Sequence, residues 1–177
     1  RERRFAAPDQ AASDLAFAAS ERILEAAGVE GSELDMVIVP TATPDHLFPS
    51  TAALVADRLG ARNAAAYDLS AACSGFIYGL AQATGLIEAG ICRRVLVVGA
   101  EVLSRVTDHD DRATCILFAD GAGGALVTLG DPAETTGFLA FDLGADGSGG
   151  DQLVIPAGGS RLPVSSGPAP GDGCIKM

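Results

Sequence analysis

The sequence predicts an α/β protein built on a largely parallel, helix-covered sheet, and three observations lead there. Short apolar runs of strand length at 35–40, 64–69 and 94–99 are separated by segments of helical periodicity. Strand and helix alternate in order along the chain, the arrangement that builds parallel sheets with helices packed on them. The composition suits a dense interior: of 177 residues 48% are hydrophobic and 22 are glycine, yet only 5% are aromatic and Trp is absent. Such a core is made of small and branched aliphatic side chains, and a chain of this length buries roughly 70% of the surface that its unfolded form exposes.

The elements follow in order. Residues 13–27 set Leu15, Ala18, Ala19, Ile23, Ala26 and Ala27 on one helical face and Glu21, Arg22 and Glu25 on the other, with Gly28 as the stop, so an amphipathic surface helix is expected. The run 35–40 reads as a buried strand, followed by a Thr/Pro/Asp loop to Pro49. Ser50 is placed to cap a second helix ending at Gly60. A strand at 64–69, a long helix at about 73–89 and a strand at 94–99 repeat the alternation. Beyond Gly99 the expectations are a short helix near 101–106, an acidic loop at 107–112, an apolar strand ending at Leu129 and one more strand at 138–143. The stretch Gly121-Ala-Gly-Gly-Ala-Leu126 matches a dinucleotide fingerprint only until its third glycine, which is Leu126, and is expected to be a tight turn against the core. Residues 144–173, rich in Gly, Pro and Ser, read as loops, and the whole chain 1–177 as one domain. With no initiating Met and no stop signal at Lys176-Met177, the chain is expected to start and end inside a longer protein.

Charge and cysteine usage exclude several classes. Twelve Lys and Arg against twenty-three Asp and Glu leave a net charge of −11, the wrong sign for tracking phosphates, so no nucleic-acid partner is expected. The nineteen uncharged residues from Leu69 to Ile87 are long enough to raise a membrane span, but Ser70, Ser74, Gln82 and Thr84 dilute them and a strand occupies their start. They read instead as a helix apolar on nearly all sides, suited to the middle of a protein, with Gly75 and Gly79 leaving room for another backbone on one face. That second backbone is expected in a segment outside the chain. Cys73, Cys92, Cys115 and Cys174 have no paired spacing for zinc or redox chemistry, which fits reduced thiols and a cytoplasmic location. Neither the acidic run Asp108-His-Asp-Asp111 nor Gly144–Asp151 has a recognised ligand spacing, so no metal is expected, and His46 and His109 read as solvated loop residues.

The chemistry concentrates at Cys73, where a strand breaks directly into a helix between small residues. Unpaired N–H groups and the positive end of the helix dipole favour a thiolate at such a place, and small neighbours leave the sulfur reachable. The plainer alternative is a small buried hydrophobe, which is the reading for Cys92 and Cys115. A serine-hydrolase elbow is a weaker rival, since Gly-x-Ser-x-Gly surrounds neither Ser70 nor Ser74.

Asp68-Leu-Ser-Ala-Ala-Cys-Ser-Gly-Phe-Ile-Tyr-Gly-Leu80, Val95-Leu-Val-Val-Gly-Ala-Glu101 and Asp111-Arg-Ala-Thr-Cys-Ile-Leu-Phe-Ala-Asp-Gly-Ala-Gly123 together resemble β-ketoacyl-acyl-carrier-protein synthase III, one of the thiolase-like condensing enzymes. The resemblance runs from Arg1 to about Lys176 and covers roughly the first half of a family member. It implies the first half of a duplicated thiolase-like fold, with a mixed, mostly parallel sheet, helices on both faces and one buried central helix. It implies that Cys73 accepts an acyl group from acyl-coenzyme A, and that the acyl-enzyme condenses with malonyl-acyl-carrier protein, releasing carbon dioxide and starting fatty-acid synthesis. By the same resemblance Arg112 meets the coenzyme A nucleotide, Leu103 and Phe118 line the acyl pocket, and Phe48 reaches into the pocket of a homodimer partner. Taken alone, Arg112 reads equally well as a surface partner of Asp110 or Asp111, and the three apolar residues as core. No cofactor beyond the coenzyme A thioester substrate is implied. The family's catalytic His and Asn match nothing here, so the chain by itself is expected to show at most slow self-acylation. Two other readings stand beside this one: a thiolase-fold acyltransferase forming esters or amides in secondary metabolism, and a non-catalytic dimerisation scaffold.

Overall fold

The computed structural model of the chain describes residues 2–130 and 137–177; Arg1 lies outside them. The described residues fall into two compact units: 6–101 with 121–130 and 137–142, and 2–5 with 102–120 and 143–177.

The first unit carries the sheet. Strands β1 (Met36–Pro40), β2 (Ala65–Leu69), β3 (Arg94–Val102) and β4 (Asp120–Thr128) lie in the order β2-β1-β3-β4, with β1 parallel to both β2 and β3. Helix α1 (Ala12–Ala27) packs on α2 (Thr51–Arg58), α2 on β1 and β2, and α3 (Gly75–Glu88) on β1. The two crossovers run in opposite directions across the sheet, β1 to β2 through α2 and β2 to β3 through α3. Right-handed connections therefore put these helices on opposite faces. The period of two follows suit: Ile38, Val95 and Val97 join Leu80, Ala83 and Ile87 of α3 in one apolar cluster, while Val37, Val39, Leu96 and Val98 are buried outside it. Burial of Leu80 and Ile87 in that cluster contributes about 1.5–3 kcal/mol each.

Most of the expected elements are present within a residue or two, and Ser50 caps α2 by accepting from the Ala53 N–H at 3.2 Å. Four expectations are corrected. First, α1 buries Ala12, Ser13, Ala16, Ser20 and Leu24, while Ala18, Ala26 and Ala27 are exposed. Small residues won this face because two helices approach closely over them, and the buried hydroxyls are satisfied: Ser20 donates to the Ala16 carbonyl at 2.7 Å and Ser13 to Asp45 at 2.6 Å. Second, the Gly-rich stretch 121–124 is no turn but the first half of β4, because Gly124 lies against the β3 backbone where a Cβ would come within 2.3 Å of the Val97 carbonyl oxygen. Third, residues 138–143 form no strand; Phe141 packs against the core cluster with the Phe138 ring 5.2 Å from its own, while Leu139 stands exposed. Fourth, the close neighbour of Gly75 and Gly79 belongs to this chain. A Cβ on Gly75 would sit 2.9 Å from Pro40 Cβ, and one on Gly79 2.8 Å from Val97 Cγ1. These glycines let α3 settle onto β1 and β3, whereas Ile77, around the helix, is 48% exposed.

Asp35 ties the strand starts together. One carboxylate oxygen accepts from the Arg93 and Arg94 N–H groups at 2.7 and 2.9 Å, and its own backbone bonds Arg94 and Ala65. Those two amide bonds, Arg93 first, hold its carboxyl below the usual carboxylate range. A depressed folded-state value stabilises the fold above the unfolded pKa, and that contribution disappears as pH falls through the lowered one. Asp35→Asn is therefore expected to be less stable to urea at pH 7 and to lose less stability than the parent below about pH 4. Parallel acid profiles for the two chains would contradict this.

Among its described residues the second unit holds the last residue of β3, the first of β4, short 3-10 turns at Leu103–Val106, Gly147–Gly149 and Val164–Ser166, and an isolated bridge between Val154 and Lys176.

Candidate active site

Cys73 stands in a 3-10 turn, Ala72–Ser74, that joins the end of β2 to the first residue of α3. The sequence placed it at the helix start; the α-helix proper begins two residues later, at Gly75. The turn is tight enough to force Ala72 to φ +44, the one non-glycine residue with positive φ among those described. That left-handed conformation is uncommon for a residue with a Cβ and costs of order 1 kcal/mol or more. It turns the chain sharply between strand and helix, and Cys73 emerges exposed with a free thiol. The amide of Ser74 is bonded back to the Ala71 carbonyl and that of Gly75 to Ala72. Among the described residues nothing accepts from the Cys73 N–H, so it is available to a bound oxygen.

The support beneath the turn is built from carboxylates. Asp68, on β2, accepts from the Thr51 and Ala52 N–H groups at 2.8 and 2.7 Å and so binds the start of α2 to the strand that leads to Cys73. Asp45 accepts from the Ser13 N–H and hydroxyl at the start of α1, and its own N–H donates to Thr51 Oγ1 at 3.2 Å. Glu101, near the end of β3, accepts from the Ala42 N–H and the Thr43 hydroxyl. These three carboxylates hold the loop between β1 and α2, at whose tip Leu47 and Phe48 are 86% and 85% exposed. The sequence reading missed them as structural anchors. For Asp68 and Glu101 the only signal was an acidic residue inside an apolar strand, where an unpaired charge would be costly, and Asp45, in the loop, carried none.

Of the residues singled out beforehand, Cys73 and Phe48 lie in the sheet-bearing unit, and Phe48 is solvent-facing rather than core. Arg112, Leu103 and Phe118 lie in the other. There Arg112 is exposed and forms no ion pair with Asp110 or Asp111 among the described residues; the Asp111 carboxylate accepts from the Ala113 N–H and Thr114 hydroxyl instead. Leu103 and Phe118 are half-buried, and the Leu103 carbonyl accepts from the Thr107 hydroxyl. His46 is exposed, and His109 is exposed with Nε2 3.2 Å from the Ser104 carbonyl oxygen and its ring 5.4 Å from Phe5. Among the described residues no three acidic, His or Cys side chains are grouped to hold a metal, and no helix is long and apolar enough to cross a membrane.

The remaining thiols contrast with Cys73. Cys92 is buried in the core cluster, and desolvation, with a smaller push from Asp35, raises its thiol pKa. Cys115 and Cys174 are half-buried. Brief iodoacetamide treatment of the folded chain is expected to modify Cys73 well before Cys92, which should react only on unfolding. Peptide mapping showing Cys92 modified first would overturn this assignment of exposure.

Known structures share this arrangement. β-Ketoacyl-acyl-carrier-protein synthase III from Thermus thermophilus superposes with a TM-score of 0.80 at 53% identity, over 86% of this chain and 46% of that one. The 3-oxoacyl-(acyl carrier protein) synthase III of Pseudomonas aeruginosa PAO1 gives 0.87 at 42% identity, over 98% of this chain and 52% of that one. The fold is thus that of the thiolase-like condensing enzymes, of which the chain presents one half of the duplicated architecture. Residues 67–147, which include the Cys73 turn, match the model of the 3-oxoacyl-[acyl-carrier-protein] synthase III family. The β-ketoacyl-acyl-carrier-protein synthase III of Caldanaerobacter subterraneus subsp. tengcongensis is 56% identical over 93% of this chain and 49% of its own length. The chain belongs to this synthase III family and spans about half the length of the curated relatives it matches.

Proposed function

We propose that Cys73 is the acyl acceptor of a β-ketoacyl-acyl-carrier-protein synthase. The reading rests on family membership together with one observation: an exposed thiol on a strained strand-to-helix turn, with its own amide N–H unclaimed. In the first step the Cys73 thiolate attacks the carbonyl carbon of an acyl-coenzyme A. The new C–S bond forms, the carbonyl becomes an oxyanion, and its collapse expels the coenzyme A thiolate, which takes up a proton. The Cys73 N–H is suited to donate to that oxyanion, where one preorganised donor supplies roughly 3 kcal/mol of transition-state stabilisation. In the second step malonyl-acyl-carrier protein loses carbon dioxide. The electron pair of the broken C–C bond attacks the Cys73 thioester, giving a β-ketoacyl-carrier protein and regenerating the thiolate. The second reaction belongs to the whole enzyme, and the chain by itself is expected to carry out the first at most slowly.

In this proposal the exposed guanidinium of Arg112, unpaired with its acidic neighbours, meets the nucleotide of coenzyme A, as suits a planar cation beside a base or phosphate. Leu103 and Phe118 line the acyl pocket, and Phe48, presented at a loop tip, enters the pocket of a second copy in a cytoplasmic homodimer. No resident cofactor takes part. The test is incubation with acetyl-coenzyme A followed by peptide mass spectrometry: acetylation at Cys73 that disappears in Cys73→Ala supports the assignment, and acetylation elsewhere that persists in the variant refutes it. Release of carbon dioxide from malonyl-carrier protein by the full-length enzyme separates condensation from ester or amide formation.

A further inference from the structure

We infer that Glu101 is a positioning residue for Cys73, acting through the exit of β1. This rests on Cys73 being the reactive thiol proposed above. Along β1 and β3 the paired register runs from Met36 with Val95 to Ile38 with Val97. Two residues later stands Pro40, which has no N–H to extend the ladder. Glu101 takes over beyond it: Oε1 accepts from the Ala42 N–H at 2.8 Å and Oε2 from the Thr43 hydroxyl at 2.7 Å. A side chain thus holds β1's exit to β3 where the backbones no longer do. Both carboxylate oxygens are used, so the segment 40–43 is fixed at two points.

That segment carries the Cys73 turn on its other side. The Thr41 N–H donates to the carbonyl of Leu69, the last residue of β2 and four before Cys73. Pro40 fills the space over Gly75 and Gly79, with its Cβ 2.9 Å and its Cγ 3.3 Å from where their Cβ atoms would be. Both ends of the Ala72–Ser74 turn therefore lean on Pro40 and Thr41, and Glu101 holds the residues that follow them. Releasing the carboxylate contacts frees the support of a turn whose geometry is already strained at Ala72. A small shift of Cys73 and its N–H is then expected to cost reactivity out of proportion to stability.

The experiment measures the second-order rate of Cys73 alkylation by iodoacetamide and, separately, acetyl transfer from acetyl-coenzyme A, in the parent, Glu101→Ala, Glu101→Gln and Thr43→Val. Glu101→Ala is expected to slow alkylation at least about fivefold, and to lower the saturating acetyl-transfer rate at least about tenfold with the half-saturating concentration changed less than about twofold. Glu101→Gln keeps an oxygen for the Ala42 N–H and an amide group that the Thr43 hydroxyl can accept from, and is expected to retain a rate within about threefold of the parent. Cys92 protection reports folding in the same samples. If Glu101→Ala exposes Cys92, Thr43→Val decides: slower Cys73 alkylation with Cys92 protected supports the inference, and the parental rate overturns it. A folded Glu101→Ala chain with parental alkylation overturns it as well. A parent that alkylates at Cys73 yet takes no acetyl group refutes the acylation reading, while the alkylation comparison still judges Glu101.

Discussion

Acetyl-coenzyme A is expected to leave one acetyl group on Cys73 of the folded chain, none on Cys92, and none at all on that peptide after Cys73→Ala. The expectation is large because nothing near Cys73 offers a substitute. Ser74, beside it, carries an alcohol, which is a far weaker nucleophile without a base to activate it. Neither Cys115 nor Cys174 shares the exposed turn. Cys73→Ser is expected to fall roughly a hundredfold or more below the parent, since an alcohol oxygen with no base to activate it is a far weaker nucleophile than sulfur. A serine variant acylated as fast as the parent would show that the sulfur is not the attacking atom. The readout is the time course of acetylated peptide, measured on chains whose Cys92 stays protected.

The second large effect concerns the sheet rather than the thiol. Gly124→Ala is expected to destabilise the chain by about 3 kcal/mol or more, because the added Cβ would lie 2.3 Å from the Val97 carbonyl oxygen and 2.8 Å from Val98 Cα. Backbone atoms in a central strand cannot swing aside as a long side chain can, so β3 and β4 must separate or distort. Gly121→Ala, three residues earlier in the same strand, meets nothing within 4 Å and is expected to be neutral or slightly stabilising. Urea denaturation of the two variants checks the pair directly. Equal midpoints would mean that β4 does not lie on β3 as closely as described.

Much of the architecture was readable before any coordinates. The apolar runs at β1, β2 and β3 and the Ser50 cap are local signals, fixed by residue type and spacing, and they appear where expected. The errors came where composition is ambiguous between two neighbours. In α1 a stripe of Ala and Ser outcompeted a stripe containing Leu15 and Ile23, because close approach to α2 favours small side chains whose hydroxyls find local partners. At 121–124 four small residues looked like a turn, and only the nearness of β3 makes them a strand. The site shows the same division. Cys73 was marked by its position between strand and helix, while Asp45, Asp68 and Glu101 were not, because their partners are amides and hydroxyls between sixteen and fifty-nine positions away in the chain.

By itself the amino-acid sequence determined the order of strands and helices, the aliphatic core and the cysteine at their junction, since these depend on periodicity and on the chemistry of single residues. The tertiary structure decided which face of α1 is buried, that Gly75 and Gly79 rest on β1 and β3, that Ala72 is held in a left-handed turn, and which backbone groups the three carboxylates satisfy. Each of these depends on distances between segments remote in sequence, and close packing or a hydrogen bond exists only once the chain has brought both partners together.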